Sequence, residues 1–187
     1  IENSPYPKLF LHCNPTISQN KRHFDTIVPI VNKFLERHPD YQVIVSADQY
    51  AQDFSHELGV GNIVKSMIHS DKTIVYQYDN PIELCKVIDA CDVIITSKLH
   101  VGIVGAHLGK SVISFSSHTK KIARLYEQLG ASDRTIPLSE LTIEDGYTLL
   151  ESKYHVGMHV SQDIILSANS NFSHLTNFLE KYNKTLV

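Results

Sequence analysis

The stretch from residue 80 to residue 130 constrains the fold of this chain more than any other part. Apolar residues spaced for a helix over 82–88 lead into a short apolar strand at 93–95. A helix rich in small residues then leads into a second apolar strand at 112–115, and another helix follows. Short, continuously apolar strands that alternate with helices predict a parallel sheet covered on both faces. This stretch is therefore a predicted βαβ unit.

The rest of the chain repeats the same alternation. Four further segments have the composition of buried strands, at residues 9–13, 42–46, 73–77 and 134–138. Helical patterns are predicted at 24–35, 49–58, 139–154 and 164–179, with Gly59 closing the second of these helices. About six strands with interleaved helices predict one doubly wound parallel sheet, a single Rossmann-like α/β domain over residues 1–187.

Composition and charge limit the classes of function. A formal net charge of −3 argues against a general nucleic-acid surface. No apolar run reaches the ~18 residues that a membrane span needs. Three cysteines, an odd and sparse set, indicate a reduced compartment, so we expect a cytoplasmic protein. The chain begins with Ile1 and without a signal-peptide pattern, so we expect it to be part of a longer protein.

An unusual turn, Thr-Ser-Lys-Leu-His, lies at the centre of the βαβ unit. We predict that Ser97 caps the helix that follows, which puts Lys98 at its first turn. A cation is unfavourable there, because the positive end of the helix dipole repels it by ~0.3–1 kcal/mol. A bound anion would offset this repulsion, so the turn predicts an anion site that includes His100. A solvated lysine beside a core histidine is the alternative.

Two more lysines, Lys120 and Lys121, open the next predicted helix. In open α/β sheets, ligands bind at the carboxyl ends of the strands, where these helices begin. Either lysine is therefore placed to reach an anion held at the preceding turn, and a solvated helix face is the alternative.

Several familiar site motifs are absent from the sequence. The turn after the first strand, His-Cys-Asn-Pro, has no glycine, and neither a dinucleotide-binding glycine loop nor a P-loop occurs. His12 and Asn14 are candidates to face a cleft, although a satisfied, partly buried residue is the simpler interpretation of His12. His155 and His159 have the spacing of a helical metal pair but no acidic third ligand nearby, so we expect no metal site.

The segment DACDVIITSKLHVGIVGAHLGKSVISF, followed by KKIARLYEQLG, resembles the carboxyl-terminal half of the polysaccharide pyruvyltransferases. The resemblance covers roughly residues 80–130. It implies one half of a two-domain GT-B architecture, with the active site in the cleft between two Rossmann-like halves. It also implies transfer of pyruvate from phosphoenolpyruvate (PEP), the donor substrate, to two hydroxyls of a sugar as a cyclic ketal, with no cofactor.

The resemblance assigns roles to particular residues. The family's Thr-Ser/Thr-Arg-Leu-His turn binds the donor, and here Ser97, Leu99 and His100 match it while Lys98 replaces the arginine. A lysine is a point charge, whereas arginine makes a two-pronged contact with carboxylate or phosphate. Lys121 matches the family's helix lysine by its spacing from the following Leu-Gly. His100 is the best candidate for a proton-transfer role or a phosphate contact, with the other matching residues in donor binding.

A second departure follows the first strand, where the family often carries an arginine and this chain has Asn14. The resemblance implies a glycan or lipid-linked saccharide acceptor, an amino-terminal partner domain and no nucleic acid. It implies a cytoplasmic enzyme that reaches the inner face of the membrane through other domains or partners, and a fragment that is inactive alone.

Two alternatives stay open at this point. A nucleotide-sugar-binding carboxyl domain of a GT-B glycosyltransferase would use the same turn for a diphosphate, but residues 114–118 offer no acid for the ribose. A non-catalytic binding domain of the same fold would explain the loss of two arginines.

Overall fold

The computed structural model describes residues 4–14, 20–47, 59–116 and 119–183. Its centre is a six-stranded sheet in the order β3-β2-β1-β4-β5-β6, and each neighbouring pair is parallel. The strands are β1 (Lys8–Cys13), β2 (Gln42–Ala47), β3 (Ile74–Val75), β4 (Val93–Thr96), β5 (Ser111–Ser116) and β6 (Thr135–Pro137). The predicted doubly wound parallel sheet is confirmed, with β4 beside β1 at its middle.

Helices cover both faces of the sheet. A π-helical turn, His23–Ile27, runs directly into α1 (Val28–Arg37). The others are α2 (Val60–Met67), α3 (Pro81–Asp89), α4 (Leu99–His107), α5 (Thr119–Gln128), α6 (Ile143–Lys153) and α7 (Gln162–Asn183). Polar side chains begin two of them: Asn80 accepts hydrogen bonds from two N–H groups of α3, and Thr142 accepts one from α6.

The two faces bury separate apolar layers, because successive side chains of a strand point to opposite sides. Leu9 and Leu11 of β1 pack in the layer that includes α1, α2 and α6. Phe10 packs in the opposite layer, with α3, α4 and α5. In that second layer α4 lies close to the sheet, since a Cβ atom built on Gly105 would be 2.8 Å from a methyl of Val112.

The strand order indicates where on the sheet a ligand would bind. The chain moves outward from β1 through β2 to β3, then crosses back to β4 and moves outward the other way. The carboxyl ends of β1 and β4 therefore flank the point where the direction of winding reverses. Ligands of open α/β sheets bind in the crevice at this point.

Several predicted boundaries were wrong or lie outside the described residues. The predicted helix over 49–58 falls on residues 48–58, which the structure does not describe. Gly59 is the residue that precedes α2, a helix that the sequence pattern did not predict because Gly61 and Asn62 are poor helix formers. The third strand is shorter than predicted, and α6 begins four residues later than predicted.

The segment after α6 crosses the amino-terminal edge of the sheet without forming a helix. The N–H of Met158 donates to the carbonyl of Lys110 (3.0 Å), and Arg134 Nη2 donates to the carbonyl of Val156 (2.7 Å). A Cβ atom on Gly157 would lie 2.3 Å from the carbonyl oxygen of Gly109, so glycine is needed for this crossing. His155 and His159 accordingly share no helical face.

Candidate functional site

The turn between β4 and α4 lies at the reversal point of the sheet. Thr96, the last residue of β4, is 1% exposed, and its Oγ1 accepts a hydrogen bond from the N–H of Lys98 (3.0 Å). Lys98 has extended backbone and is the residue that precedes the helix, but its side chain makes no capping hydrogen bond. The prediction that Ser97 caps α4 is wrong, because Ser97 lies one residue too early. Lys98 therefore supplies no side-chain cap to the first turn of α4, and a helix end of this kind is suited to an anion.

The structure places the other candidates along the same edge. Ser97, Lys98 and Leu99 are half-buried, and His100 is exposed in the first turn of α4. Lys121 is exposed in the first turn of α5. Because β4 and β5 are neighbours, the amino ends of α4 and α5 follow adjacent strands.

Asn14 lies at the carboxyl end of β1, beside the turn, and is half-buried. Its N–H donates to Oδ1 of Asn20 (3.1 Å), and its carbonyl accepts a hydrogen bond from Nδ2 of Asn20 (2.5 Å). Asn20 is fully buried, so these two hydrogen bonds fix the carboxyl end of β1 from below the surface. Sequence reasoning missed Asn20, which has no motif around it.

A row of buried polar side chains crosses the sheet directly beneath this edge. His12 pairs in register with Ser46, and Thr96 pairs with Ser114. The β1–β4 register, in which Leu11 is level with Ile95, puts both pairs at the same height and on the α3–α5 face. His12 is fully buried, so it lies beneath the crevice and does not face it. The simpler interpretation had predicted a partly buried residue.

These features coincide with a sequence family. The model of the polysaccharide pyruvyl transferase family matches residues 7–119, which include β1, the turn and the whole of α4. The chain belongs to this family. The resemblance inferred from residues 80–130 is thereby confirmed and extended to β1. Comparison with curated protein sequences found no significant match.

Several solved structures share the fold of this chain at low sequence identity. A UDP-GlcNAc 2-epimerase of Methanocaldococcus jannaschii, in complex with UDP-GlcNAc and UDP, has a TM-score of 0.58 at 15% identity over 85% of this chain. The ADP-heptose lipopolysaccharide heptosyltransferase II of E. coli has a TM-score of 0.54 at 13% identity over 80%. An O-GlcNAc transferase mutant of Thermobaculum terrenum has a TM-score of 0.52 at 12% identity over 78%.

The chain spans only 42%, 47% and 29% of these three proteins, respectively. At such identities the likeness shows the fold alone, and it confirms the predicted correspondence to one half of a GT-B architecture. No helix within the described ranges is long and apolar enough to cross a bilayer. In the same ranges no three histidine, cysteine or acidic side chains cluster as metal ligands.

His23 is a residue of this edge that the family resemblance did not indicate. It begins the π-helical turn, is 1% exposed and shares a hydrogen bond with the backbone of His12. Burial first, and then the nearby His12 ring, lower the pKa of His23 from its ordinary 6.5 to about 4, and the hydrogen bond to the His12 backbone opposes them only weakly. The imidazole is therefore neutral at pH 7 and supports the carboxyl end of β1 without adding charge. No sequence signal distinguishes it from a surface histidine.

Tyr126 supports the amino end of α4 from below. It is 2% exposed, and a Cβ atom on Gly102 would lie 3.0 Å from its hydroxyl. Burial raises the pKa of Tyr126 to about 12, against a smaller opposing effect of the Ser114 hydroxyl. Among the described residues, neither hydroxyl has a hydrogen bond of ordinary geometry. The phenol thus stays protonated and sets the height of the first turn of α4 above the sheet.

Proposed function

We propose that this chain is the donor-binding half of a polysaccharide pyruvyltransferase, which transfers pyruvate from PEP to two hydroxyls of a glycan sugar and forms a cyclic ketal. The observation that carries the proposal is the amino end of α4 at the reversal point of the sheet, where a lysine stands in the capping position without a side-chain cap, in a chain of this family. A helix end of this kind favours an anion.

PEP has two anionic groups, a carboxylate and a phosphate, and the edge offers two groups of donors. The N–H groups of residues 99–101, together with Ser97 and Lys98, would hold one anion at the first turn of α4. Lys121, at the first turn of α5, would hold the other. Lysine in place of the family's arginine supplies charge without a two-pronged geometry. Asn14 lies beside them at the end of β1, as a polar contact without charge.

The reaction requires a proton at the methylene carbon of PEP. One acceptor hydroxyl then adds to the neighbouring carbon and loses its proton, and the second hydroxyl displaces phosphate to close the ketal. The two acceptor hydroxyls together release two protons. One of these is equivalent to the proton that the methylene carbon gains, and the released phosphate takes up the other. His100, exposed at the amino end of α4, is the proposed proton donor, and such assistance contributes ~10²–10⁴-fold. PEP carries its own leaving group, so we expect no cofactor.

The remaining parts of the enzyme are also proposals. An amino-terminal domain would close the cleft over the edge of the sheet and carry most of the acceptor site. The acceptor would be a glycan or a lipid-linked saccharide, not a nucleic acid. Use of PEP would place the reaction in the cytoplasm, at the inner face of the membrane where the acceptor is lipid-linked.

Binding of PEP to the chain tests the donor site. We expect titration calorimetry to detect PEP binding that Lys98→Ala weakens about tenfold, because it removes a charge-assisted contact. Lys98→Arg should keep or tighten it. Lys65→Ala is the matched control, since Lys65 is exposed in the last turn of α2, at the opposite edge of the sheet. It should bind PEP like the wild type.

The same experiment separates the alternatives. Binding of UDP or UDP-sugars in preference to PEP would favour a nucleotide-sugar domain, and failure to bind any of these anions would favour a non-catalytic domain. In the full-length protein, His100→Ala should slow ketal formation about 100-fold while PEP still binds. Unchanged turnover would remove His100 from the mechanism.

A further inference from the structure

A polar pocket lies at the amino-terminal edge of the sheet, away from the candidate donor site. Its volume is about 280 Å³, room for about nine groups the size of a water molecule. Its lining includes Arg134, Lys153 and His159. The strand β5 begins at this edge with Ser111 and ends at the donor edge with Ser116, a rise of about 17 Å. A ligand in this pocket would therefore be separate from the donor.

A buried guanidinium forms part of the pocket wall. Arg134 is only 5% exposed. Its Nη2 donates to the carbonyl of Val156 (2.7 Å), and its Nη1 donates to Oγ of Ser111 (3.4 Å). The Ser111 hydroxyl itself donates to the carbonyl of Lys153 (2.7 Å), which leaves its oxygen as an acceptor for Arg134. These contacts fix the position of the guanidinium but bring it no negative charge.

The charge of Arg134 lacks a counter-charge in direct contact. Buried charges in folded proteins are almost always paired. Among the described residues no carboxylate forms an ion pair with Arg134, and the adjacent Asp133 is bound to Nζ of Lys153. Burial lowers the pKa of Arg134, an effect that Asp133 and Tyr126 only partly offset. Because arginine nevertheless stays protonated, the pocket holds a fixed positive charge that an anion would neutralise.

The rest of the lining is open and carries one acid against two permanent cations. Within the part of the chain that the structure describes, Asp133 is the one acidic side chain of the pocket. Gly130 leaves one side open, because a Cβ atom built on it would meet no atom within 4 Å. The carboxyl ends of α5 and α6 disfavour an anion at this edge. Direct contact with Arg134 and Lys153 must therefore supply the attraction.

The geometry points to a binding site for a small phosphate ester, with its phosphate between Arg134 and Lys153. The planar fork of an arginine matches the oxygen atoms of a phosphate. A phosphate dianion requires a second cation, and Lys153 lies in the same lining. The volume leaves room for a small organic group beside the phosphate. The site is independent of the proposed function, since none of these residues belongs to the donor edge.

Inorganic phosphate is the probe, titrated at neutral pH and constant ionic strength into the isotopically labelled chain and followed by NMR. We expect the amide N–H signals of Gly130 and Gly157 and the Nε–H signal of Arg134 to shift, with a Kd of about 1–10 mM. Acetate should bind more weakly, because it carries a single charge. Phosphate at the donor edge would instead shift the amides of residues 99–101, so the two sites are read separately.

Two rim variants should change the affinity in opposite directions. Asp133→Asn should tighten phosphate binding about fivefold, because it removes a negative charge and releases Lys153. Lys153→Gln should weaken binding about fivefold, because it removes the second cation. Lys33→Gln is the matched control, since Lys33 also pairs with an exposed carboxylate, that of Glu144, and does not line the pocket. It should bind phosphate like the wild type.

Both rim variants keep Arg134 and its hydrogen bonds, so the test does not depend on a change to a buried residue. Absence of shifts at Gly130, Gly157 and Arg134 would overturn the site. Weaker binding by Asp133→Asn, unchanged binding by Lys153→Gln, or an equal loss in Lys33→Gln would also overturn it. Tighter binding of acetate than of phosphate would overturn the assignment to a phosphate ester.

Discussion

The buried histidine at the start of the π-helical turn should make this domain sensitive to mild acid. His23 has a pKa of about 4 in the folded chain, against an ordinary value of 6.5. Below pH 6.5 the unfolded chain takes up a proton at this position that the folded chain excludes. The contribution of His23 to the free energy of unfolding is therefore fully present above pH 6.5. It decreases as the pH falls from 6.5 to 4 and does not change further below pH 4.

The size of the effect follows from the two pKa values. Between pH 8 and pH 5, His23 should lower the free energy of unfolding by about 2 kcal/mol. The figure changes little if the folded pKa is anywhere from about 3 to 5, because at pH 5 uptake by the unfolded state dominates. His23→Gln removes this titration, so the variant should lose about 2 kcal/mol less than the wild type over the same interval.

Urea denaturation followed by circular dichroism at pH 8 and pH 5 measures the difference. The variant also loses the hydrogen bond to His12, but that cost is present at both pH values and cancels when the pH-dependent losses are compared. Parallel losses of stability in wild type and variant would refute the reasoning. They would mean that the imidazole is hydrated or charged within the fold.

Two further predictions concern the packing beneath α4 and the thiols. Gly102→Ala should lower the stability of the domain to urea, because the added Cβ would lie only 3.0 Å from the Tyr126 hydroxyl. Adding Tyr126→Phe should recover about 1 kcal/mol of that loss. If the losses of the two single variants simply add in the double variant, the contact is contradicted. With Ellman's reagent, only exposed Cys85 should react quickly in the native chain, since burial raises the pKa of both Cys13 and Cys91 to about 12, and all three should react in urea. Rapid reaction of more than one native thiol would contradict the burial.

The sequence by itself determined the fold class and the position of the turn. Five of the six strands are short apolar runs between turn residues, and this pattern predicts a covered parallel sheet. The Thr-Ser-Lys-Leu-His turn is continuous in the chain, so its place between a strand and a helix followed from local pattern. The family was recognisable from the same contiguous residues.

Local pattern was insufficient where a residue's role depends on distant neighbours. The capping prediction for Ser97 failed because the hydroxyl of Thr96 already holds the turn, which moves the helix start by one residue. The helix α2 was missed since its stability comes from packing Val60 and Val64 on the sheet, which outweighs its glycine.

Only the tertiary structure brought together the parts of the site. The strand order places the carboxyl ends of β1 and β4 side by side, although Cys13 and Thr96 are 83 positions apart in the chain. It buried His23 against His12, and it set Tyr126 under Gly102. Burial and contact of this kind arise from the packing of segments that are distant in the chain. The local sequence around such a residue would be the same if it were exposed, so it does not reveal the burial.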